Sequence, residues 1–481
     1  MKKIGLSILS FGAVVALTSC NVFARHYWSW EKSTRNDTIN YCLLIGQEDH
    51  NDSNDRTAGV RNQLGTRPAV HKPLANLEDP ITGHVTLHGN LKDVPAKEFT
   101  VHEIEHREQK SLAGTTWDPI TANNSAATWT AKHGENITMF VSNNDGMAEG
   151  ALGASCWYQG MPIFGYDANK STLRFIQKNR IMGTIDSNTP TQCLTCAMLI
   201  RNICDHVANN PNERWDPCSI GFRSFYDEGS NPSEAPYNTP YGYVTSNITF
   251  QGCRMDKSGA EGGFDGGEHA ILVDNCAITN FMDKGGYFST GEVINVKEYF
   301  NEDGTDKTPA QRVESVEPNA HAYRTPSTSN HKNEKVLNVL HSYYSNTDVY
   351  FGGNMDPFFN YFFKGPSDDN KMLNMNVSRI DGDGTNEQNL VNAVVASVKG
   401  HSFDAFMLNV IKQPAAMLYI QEIAKALKIE PQDDWAKRDP RPVIFWNRQP
   451  TNDKGEISKD VMNNKYFKYT YYVGFGAKQG G

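Results

Sequence analysis

Residues 41–52 read Tyr-Cys-Leu-Leu-Ile-Gly-Gln-Glu-Asp-His-Asn-Asp, an apolar run that passes through a glycine into a polar loop. Repeated units of strand, loop and helix predict an α/β fold built on doubly wound parallel sheets. In such sheets ligands bind beyond the carboxyl ends of the strands, so the polar residues after each run are the first candidates for a site. Further apolar runs lie at 137–141, 162–165, 405–410, 442–446 and 471–474, and helical spacing occurs at 388–399 and 415–427.

The composition excludes one class of partner and favours another. The 481 residues suffice for two or three domains, and 38% of them are hydrophobic and 21% charged. The formal net charge is -9 and no dense stripe of Lys and Arg occurs, which argues against a nucleic-acid partner. Frequent aromatics among Asn, Asp and Gly suit a neutral polar ligand such as a carbohydrate.

The first twenty residues predict export. Lys2 and Lys3 precede an apolar run at 5–17, which is too short for a comfortable membrane span and has the flanks of a secretory signal. The sequence Leu-Thr-Ser-Cys at 17–20 is similar to a bacterial lipobox. Cleavage before Cys20 would leave a lipidated N-terminus, which predicts a protein anchored on the extracytoplasmic face of the cell membrane. The alternative is an ordinary signal peptide with a chance cysteine.

Eight cysteines remain after Cys20, an even number that permits disulfides in an exported protein. Cys42 and Cys156 lie in apolar runs and are interpreted as buried thiols. Cys193 and Cys196 have the spacing of a redox or zinc motif. Because no second pair with this spacing follows, a local structural role is favoured.

Polar segments that carry carboxylates, amides or aromatics accompany several of the apolar runs. Their side chains are those that recognise hydroxyl-rich ligands. The segments are Gly-Gln-Glu-Asp-His-Asn-Asp-Ser-Asn-Asp-Arg at 46–56, Thr-Thr-Trp-Asp at 115–118, Ser-Asn-Asn-Asp-Gly-Met-Ala at 142–148, Pro-Ile-Phe-Gly-Tyr-Asp-Ala at 162–168, Asn-Met-Asp-Pro-Phe-Phe at 354–359, and Asn409 before Gln-Pro-Ala-Ala at 413–416.

These segments resemble the glucose/galactose-binding proteins of bacterial ABC sugar importers. In that family, strand ends carry Gly-x-x-x-His-x-Asp-x-x-x-Arg, Asn-Asn-Asp-x-Met-Ala and Pro-x-Phe-Gly-x-Asp-Ala. The resemblance covers roughly 37–205 and 350–481. It implies a type I periplasmic-binding-protein fold, in which two doubly wound parallel-sheet lobes joined by a hinge close over one monosaccharide. It also implies binding without catalysis, no cofactor, a monomer, and delivery of the sugar to an ABC permease.

Carried over position by position, the resemblance assigns ten ligand-binding residues. Aromatic rings would cover the faces of a pyranose, and polar groups would bond the hydroxyls at its edge. The expected ligand is D-galactose or D-glucose. Asp residues of this kind can instead cap helices, and the aromatics can instead be core. The assigned residues are Asp356, Phe358 and Asn409 in one lobe and His50, Asp52, Arg56, Trp117, Asn144, Asp167 and Ser187 in the other.

Three positions depart from the family's pattern. Ser187 stands where the family usually has Asn, with Asn188 adjacent, so one hydroxyl contact differs. Gly476 stands where the family usually has Asp. Lys32 occupies a ligand position of the calcium loop that several members carry. Because an ammonium group cannot ligate calcium, we predict no metal there.

The two resembling segments occur in exchanged order. In the family the segment like 350–481 precedes the one like 37–205, so the sequence predicts a circular permutation; a misassembled or truncated chain is the alternative. The expected divisions are a lipoprotein signal peptide at 1–20, lobe A at 21–187 with 467–481, lobe B at 188–280 and 336–466 with an irregular insertion at 208–270, and a linker at 281–335.

Other functions compete with sugar uptake. His-Glu-Ile-Glu-His at 102–106 matches the zinc-protease pattern, which needs both histidines on one helical face, but the surrounding alternation predicts a strand. Residues 381–387 resemble the start of a calcium loop but lack its closing Glu, which favours a solvated turn. A rival from another class is a surface lipoprotein that uses the same fold for adhesion or sugar sensing.

Overall fold

The structure is a computed structural model that separates into two units, each described by itself. Unit 1 comprises the described residues between 38 and 186 together with 269–272 and 292–301, and unit 2 comprises 189–213 and those between 302 and 474. The described residues are 38–48, 50–64, 81–87, 97–154, 161–178, 180–186, 189–213, 269–272, 292–316, 334–345, 351–365, 373–453 and 458–474.

The described part of unit 1 contains a sheet and the helices that connect its strands. Its elements are β1 (Thr38–Ile45), α1 (Asn51–Gln63), β2 (Ile81–Leu87), β3 (Lys97–Glu108), α2 (Pro119–His133), β4 (Met139–Ser142), α3 (Asp145–Gly153), β5 (Ile163–Phe164), α4 (Lys170–Gln177), β6 (Gly183–Asp186), β7 (His269–Leu272) and β8 (Glu292–Asn295), with 3-10 turns at Gly134–Asn136 and Val296–Tyr299. The strand order is β2-β3-β1-β4-β5-β6-β7-β8. The segment β3-β1-β4-β5-β6 is parallel, whereas β2 pairs antiparallel with β3 and β7 with β6.

Strand β1 shows why these sequences form the middle of a sheet. Its last five residues are buried on both faces, as expected for a parallel strand covered by helices. Side chains of a strand alternate between faces, so Tyr41, Leu43 and Ile45 enter one apolar cluster while Cys42 and Leu44 enter another. The second cluster also contains residues of α2 and α3.

The described part of unit 2 contains a five-stranded parallel sheet. Its elements are α5 (Thr189–Asn209), α6 (Pro309–Val316), β9 (Leu337–Tyr343), α7 (Asp356–Lys364), β10 (Met375–Asp381), α8 (Glu387–Gly400), β11 (Ala405–Leu408), α9 (Ala416–Ala426), β12 (Val443–Trp446), α10 (Lys459–Met462) and β13 (Thr470–Val473), with a π turn at Phe351–Met355 and 3-10 turns at Gln413–Ala415 and Trp435–Lys437. The strand order is β10-β9-β11-β12-β13. The side chains of α5 pack in one apolar cluster with those of α7 and the sheet.

The two parallel sheets repeat one topology. In unit 1 the order β3-β1-β4-β5-β6, and in unit 2 the order β10-β9-β11-β12-β13, both place the first strand between the second and the third. This is a doubly wound arrangement, in which the chain reverses its direction of winding beside the first strand. The prediction of two doubly wound α/β sheets is confirmed, and the antiparallel pairings of β2 and β7 add to it.

The C-terminal strand differs from its expected place. Residues 467–481 were expected to join the lobe that holds 21–187, yet β13 lies beside β12, with Thr470 paired to Val443. Tyr471 and Val473 bury their side chains in the apolar cluster of unit 2, which explains the placement.

The expected linker and insertion also differ in part. Strand β7 falls within the segment expected in lobe B but pairs with β6 of unit 1. The expected linker includes β8, which pairs with β7, and α6, which belongs to unit 2. Several predictions lie outside the described residues: the signal peptide at 1–20 with Cys20, Lys32, Cys156, Ser187, most of the insertion at 214–268, and Gly476.

The segment that resembles a zinc protease is a strand, as predicted. Strand β3 carries an irregularity opposite Tyr41 and Cys42, where its register shifts by one residue. In a regular strand, residues three apart point to opposite faces. Here the side chains of Glu103 and His106 nevertheless meet, and Nδ1 of His106 lies 3.0 Å from Oε1 of Glu103. Glu103 is also bonded by Arg61, so this carboxylate belongs to a buried ion pair and not to a metal site.

The cysteines in the described ranges are free thiols. Cys42, Cys193 and Cys196 are buried and Cys204 is partly buried. The prediction for Cys42 is confirmed. Burial raises the pKa of Cys193 and Cys196, and so keeps both as unreactive thiols.

Candidate functional site

The carboxyl ends of the parallel strands in unit 1 gather most of the predicted ligand-binding residues. His50 follows β1, Asn144 follows β4 and Asp167 follows β5. Trp117 precedes α2, in the loop that leaves β3. Because parallel strands end at one edge of their sheet, the topology brings these loops together.

Arg56 of α1 joins two of these loops. Its Nη1 atom donates to the carbonyl oxygen of Asn143 at 2.6 Å and lies 3.2 Å from Oδ1 of Asp167. The guanidinium stacks on the ring of Tyr166 at 3.6 Å and lies 5.8 Å from the ring centroid of Trp117. Arg56 is buried, and a buried cation is costly unless it is paired. The pair with Asp167 therefore fixes a planar donor at the strand ends.

Trp117 lies over Gly46, the first residue after β1. The backbone N–H of Trp117 donates to the carbonyl of Gly46 at 3.3 Å, and its ring meets the edge of His50 at 5.6 Å. Trp117 has a φ of 59°, a left-handed conformation that costs a non-glycine residue about 1–3 kcal/mol. Trp117 is partly exposed, so its ring is held in place without being fully buried.

A side chain at Gly46 would displace the Trp117 ring. A Cβ there would overlap the Cε3 and Cζ3 atoms of the indole. We expect Gly46→Ala to change the near-ultraviolet circular dichroism and to weaken ligand binding by about tenfold or more, which is about 1.4 kcal/mol. Gly400→Ala is the matched control, because a Cβ there meets no atom. Parent-like spectra and affinity in Gly46→Ala would contradict this role for Trp117.

His50 and Asp52 lie at the start of α1. Nδ1 of His50 accepts a hydrogen bond from the backbone N–H of Asp52 at 3.2 Å and lies 4.0 Å from its Oδ2. The side chain that caps the start of α1 is therefore that of His50. Asp52, for which helix capping was the alternative role, does not make this contact. The carboxylate of Asp52 lies in the first helical turn, where the helix dipole favours a negative charge.

Asn144 has a structural role of its own. It is the N-cap of α3, and its Oδ1 accepts from the backbone N–H of Met147 at 2.8 Å. Such caps contribute about 1 kcal/mol to helix stability. A ligand contact by Asn144 would therefore be made by a side chain that is already fixed in position.

Asp356 of unit 2 is already bonded by two neighbours. Its Oδ1 accepts from the hydroxyl of Tyr343, and its Oδ2 pairs with Nη1 of Arg379. Arg379 stacks on the ring of Tyr343 at 3.9 Å and also bonds Asp381. Burial and the charge of Asp356 raise the pKa of Tyr343, which keeps the phenol protonated as a donor. A ligand hydroxyl at Asp356 would have to use the remaining lone pairs of this carboxylate.

Phe358 packs in the core of unit 2. Only 3% of its surface is exposed, and it belongs to the apolar cluster that includes Phe359 and Phe362. Arg312 of α6 lies over its ring at 5.1 Å. The structure thus gives Phe358 the packing role that was the alternative to covering a sugar face.

Asn409 follows β11 and is fully buried. Its backbone N–H donates to Oγ of Ser342 at 3.0 Å. Within the described ranges, neither Oδ1 nor Nδ2 of its side chain has a hydrogen-bond partner. An unsatisfied buried polar group costs about 1–3 kcal/mol. The amide therefore presents one acceptor and one donor that only an added group would satisfy.

Sequence reasoning missed Arg448, which follows β12 in unit 2. Arg448 is buried, its Nη1 donates to the carbonyl of Ile411, and its guanidinium stacks on Tyr344 at 3.6 Å. Arg56 of unit 1 has the same surroundings, a tyrosine ring and a backbone carbonyl at a strand end. The sequence could have indicated Arg448, because it comes directly after the apolar run at 442–446. The same criterion identified the other candidate loops.

His341 of β9 is a second buried group that sequence reasoning missed. The rings of Tyr343, Phe359 and Trp446 surround it at centroid distances of 4.3, 4.8 and 5.0 Å. Burial lowers the pKa of His341, so the imidazole is neutral and packs as an aromatic ring. This cluster supports the carboxyl end of β9, where Tyr343 holds Asp356.

The described ranges lack two features, a metal-binding cluster and a membrane-spanning helix. No group of three or more His, Cys, Asp or Glu side chains there is placed to hold a metal ion. No helix in that part of the chain is both long and apolar enough to cross a membrane.

Comparison with known protein families identifies the fold. Residues 29–207 match the family described as "Periplasmic binding protein domain". The fold is that of a periplasmic binding protein. Proteins of this family bind substrates outside the cytoplasm and are not enzymes. The match covers the part of unit 1 from β1 to β6 and α5 up to residue 207, and the sheet of unit 2 repeats the strand order β3-β1-β4-β5-β6 of the matched part.

A curated relative is the D-galactose/methyl-galactoside binding periplasmic protein of Haemophilus influenzae. It is 31% identical over 111 residues, which make up 23% of this chain and 34% of the relative. The chain thus matches about a third of the length of that relative.

Two solved structures are similar at 15% identity and a TM-score of 0.23, each over 35% of this chain. They are an ABC transporter periplasmic solute binding protein from Actinobacillus succinogenes with bound D-allose, covered over 47%, and a twin-arginine translocation pathway signal protein from Burkholderia phytofirmans, covered over 41%.

Proposed function

We propose that this chain binds a monosaccharide, D-galactose or D-glucose first among them, and delivers it to an ABC-type sugar importer. The loops after the strands support the proposal, because they resemble those of glucose/galactose-binding proteins. The partial match to a galactose-binding relative also supports it. The charged groups in unit 1 add a chemical reason, since hydrogen bonds to charged partners are worth about 1.5–3 kcal/mol.

The unsatisfied amide of Asn409 carries the proposal. A sugar hydroxyl both donates and accepts, so neighbouring hydroxyls satisfy an amide oxygen and an amide nitrogen together. A protein that keeps such an amide buried accepts lower stability in the free state in return for affinity and selectivity. An apolar ligand could not compensate for that cost.

The first experiment is a calorimetric titration of the purified chain with D-galactose, D-glucose and D-allose, accompanied by tryptophan fluorescence. We expect saturable binding of at least one hexose. If no common hexose gives heat or a fluorescence change, sugar uptake fails as the function, and adhesion by a surface lipoprotein takes its place.

Replacing Asn409 by leucine separates a binding role from a structural one. We expect Asn409→Leu to raise the free energy of unfolding of the free protein by about 1–3 kcal/mol, because it removes the unsatisfied amide. We expect the same change to weaken hexose binding by at least about tenfold. Urea unfolding and calorimetry measure the two effects.

The matched control is Asn392→Ala, on the exposed face of α8. Its amide oxygen accepts only a surface bond from Gln388, so stability and affinity should both remain near the parent values. Lower stability with unchanged affinity in Asn409→Leu would show that the Asn409 amide is structural.

We further propose that a lipid on Cys20 anchors a monomeric protein to the extracytoplasmic face of the membrane, and that the chain order is permuted. The lipobox-like sequence at 17–20 supports the anchor. The exchanged order of the two resembling segments supports the permutation.

A further inference from the structure

The loop that carries Asp167 has an unusual backbone. Asp167 has a φ of 112° and Ala168 a φ of 53°, two consecutive non-glycine residues in a region that L-residues avoid. Such conformations persist only where the surroundings over-determine them. The backbone N–H of Asp167 donates to the carbonyl of Ile185 at 2.9 Å, which fixes one point of the loop.

The carboxyl of Asp145 fixes the loop at Asn169 and, through Thr184, at Ala168. Asp145 begins α3 and is fully buried. Its Oδ2 accepts from the backbone N–H of Asn169 at 2.6 Å, and its Oδ1 accepts from the hydroxyl of Thr184 at 2.6 Å. Oγ1 of Thr184 in turn accepts from the backbone N–H of Ala168 at 3.3 Å. One side chain thus reaches the loop directly and through a hydroxyl.

Gly165 makes room for this carboxyl. A Cβ at Gly165 would overlap Oδ1 of Asp145. The backbone N–H of Asp145 donates to the carbonyl of Tyr166 at 2.7 Å, so backbone and side chain of the same residue both hold the segment after β5. A glycine where the carboxyl approaches closest allows this contact.

The charges around Asp145 link it to the candidate ligand site. Burial raises the pKa of Asp145 well above its ordinary value, and the charges of Asp167 and Glu149 raise it further, against hydrogen bonds from Thr184 and Asn169. Arg56 neutralises Asp167 at 3.2 Å. A ligand that changes the pairing of Arg56 and Asp167 therefore changes the charge next to Asp145.

We infer that Asp145 is a positioning residue, whose carboxyl holds the Asp167–Ala168 segment in the conformation that presents Asp167 to the ligand. The ligand does not touch Asp145, yet its affinity depends on it. The affinity readout rests on the proposed sugar-binding function. A second readout, amide hydrogen exchange in the free protein, depends on the loop alone.

The test uses the full chain with Asp145→Ala and Asp145→Asn. In Asp145→Ala we expect amide exchange at Ala168 and Asn169 to accelerate by at least about tenfold and the Kd for D-galactose to rise about 10- to 100-fold. Asp145→Asn resembles the protonated acid, so its Kd should stay within about threefold of the parent at low pH. Its Kd should also vary less with pH than the parent's, because the amide does not titrate.

The matched control is Glu149→Gln on the same helix. Glu149 accepts from Ser171 and Thr172 of α4 and does not reach the Asp167 loop. Exchange at Ala168 and affinity should therefore stay near the parent values in this variant.

Each outcome bears on the inference. Parent-like exchange at Ala168 and Asn169 in Asp145→Ala overturns it. If exchange is faster in Asp145→Ala but the parent chain binds no hexose, the result supports the positioning role and contradicts the proposed function. If Asp145→Ala does not fold, Thr184→Val removes the hydroxyl bridge alone, and unchanged exchange at Ala168 in that variant overturns the inference.

Discussion

Replacing Arg61 by methionine is expected to destabilise unit 1 by about 3–5 kcal/mol, because it leaves a buried carboxylate without its cation. Arg61 donates to Glu103 from Nε at 2.7 Å and from Nη2. The hydroxyl of Tyr41 donates to the same carboxylate at 2.6 Å, and Nδ1 of His106 lies 3.0 Å from it. No part of the Glu103 side chain is exposed. Urea unfolding followed by circular dichroism measures the loss.

Two controls accompany this variant. The double variant Arg61→Met, Glu103→Gln should recover most of the loss, since the uncompensated charge is gone. Lys132→Met removes an ion pair of similar length, 2.6 Å to Glu105, but Lys132 is largely exposed. An exposed pair contributes less than about 1 kcal/mol. Equal losses in Arg61→Met and Lys132→Met would contradict the role assigned to burial.

Because of the Glu103 carboxylate, we expect the free energy of unfolding to depend on pH in the acidic range. Burial alone would raise the pKa of Glu103, but hydrogen bonds from His106 and Arg61 and the charge of Arg61 lower it from 4.5 to about 2. A depressed pKa in the folded state contributes stability that is present above the unfolded value and is lost as pH falls. Here the loss should run from about pH 5 to about pH 2 and amount to about 3 kcal/mol. Glu103→Gln should show a flatter profile over this range.

Replacing Arg56 by methionine is expected to weaken hexose binding by at least about 100-fold, or about 2.7 kcal/mol. The change removes the guanidinium that lies 3.2 Å from Asp167 and leaves that carboxylate without this partner. It also removes the cation stacked on Tyr166. Calorimetric titration measures the loss. Arg56→Lys keeps the charge without the planar fork, so an intermediate loss of about tenfold is expected.

Arg174→Met provides the matched control for Arg56. Arg174 of α4 also lies over an aromatic ring, that of Phe300 at 4.2 Å. Arg174 contacts Phe300 and Gln177 of its own helix, whereas Arg56 contacts the strand-end residues Asn143 and Asp167, so affinity should stay within about twofold of the parent. Parent-like affinity in Arg56→Met would remove Arg56 and Asp167 from the proposed site.

Apolar runs predicted several inner strands, because a parallel strand covered on both faces needs no polar residues, although the inner strand β9 was missed. The runs at 41–45, 405–410 and 442–446 accordingly coincide with β1, β11 and β12. Strands β2 and β8 lie at the edges of their sheet and were not predicted. Edge strands are short or alternate with polar residues, so they give a weaker signal.

The candidate site was predictable in part. The loops meet because parallel strands end together, so the surroundings of Arg56 and Asp167 follow from the predicted topology. The sequence around Phe358 could not predict that its ring is buried. Burial of an aromatic side chain depends on elements distant in sequence, here on α6, whose Arg312 lies over the ring. The register shift in β3 was equally hidden, and it is what brings His106 to Glu103.

Helix α5 has a consequence for how this chain matures. Its apolar residues, among them Cys193, Ile200 and Ile203, pack in the same cluster as β9 and β11, although the stretch from 210 to 336 separates them in sequence. During synthesis and export the helix emerges long before its sheet. Contacts between distant segments form slowly, and apolar surface left uncovered invites aggregation. Unit 2 therefore cannot bury the apolar face of α5 against its sheet until β9 and β11 have been synthesised.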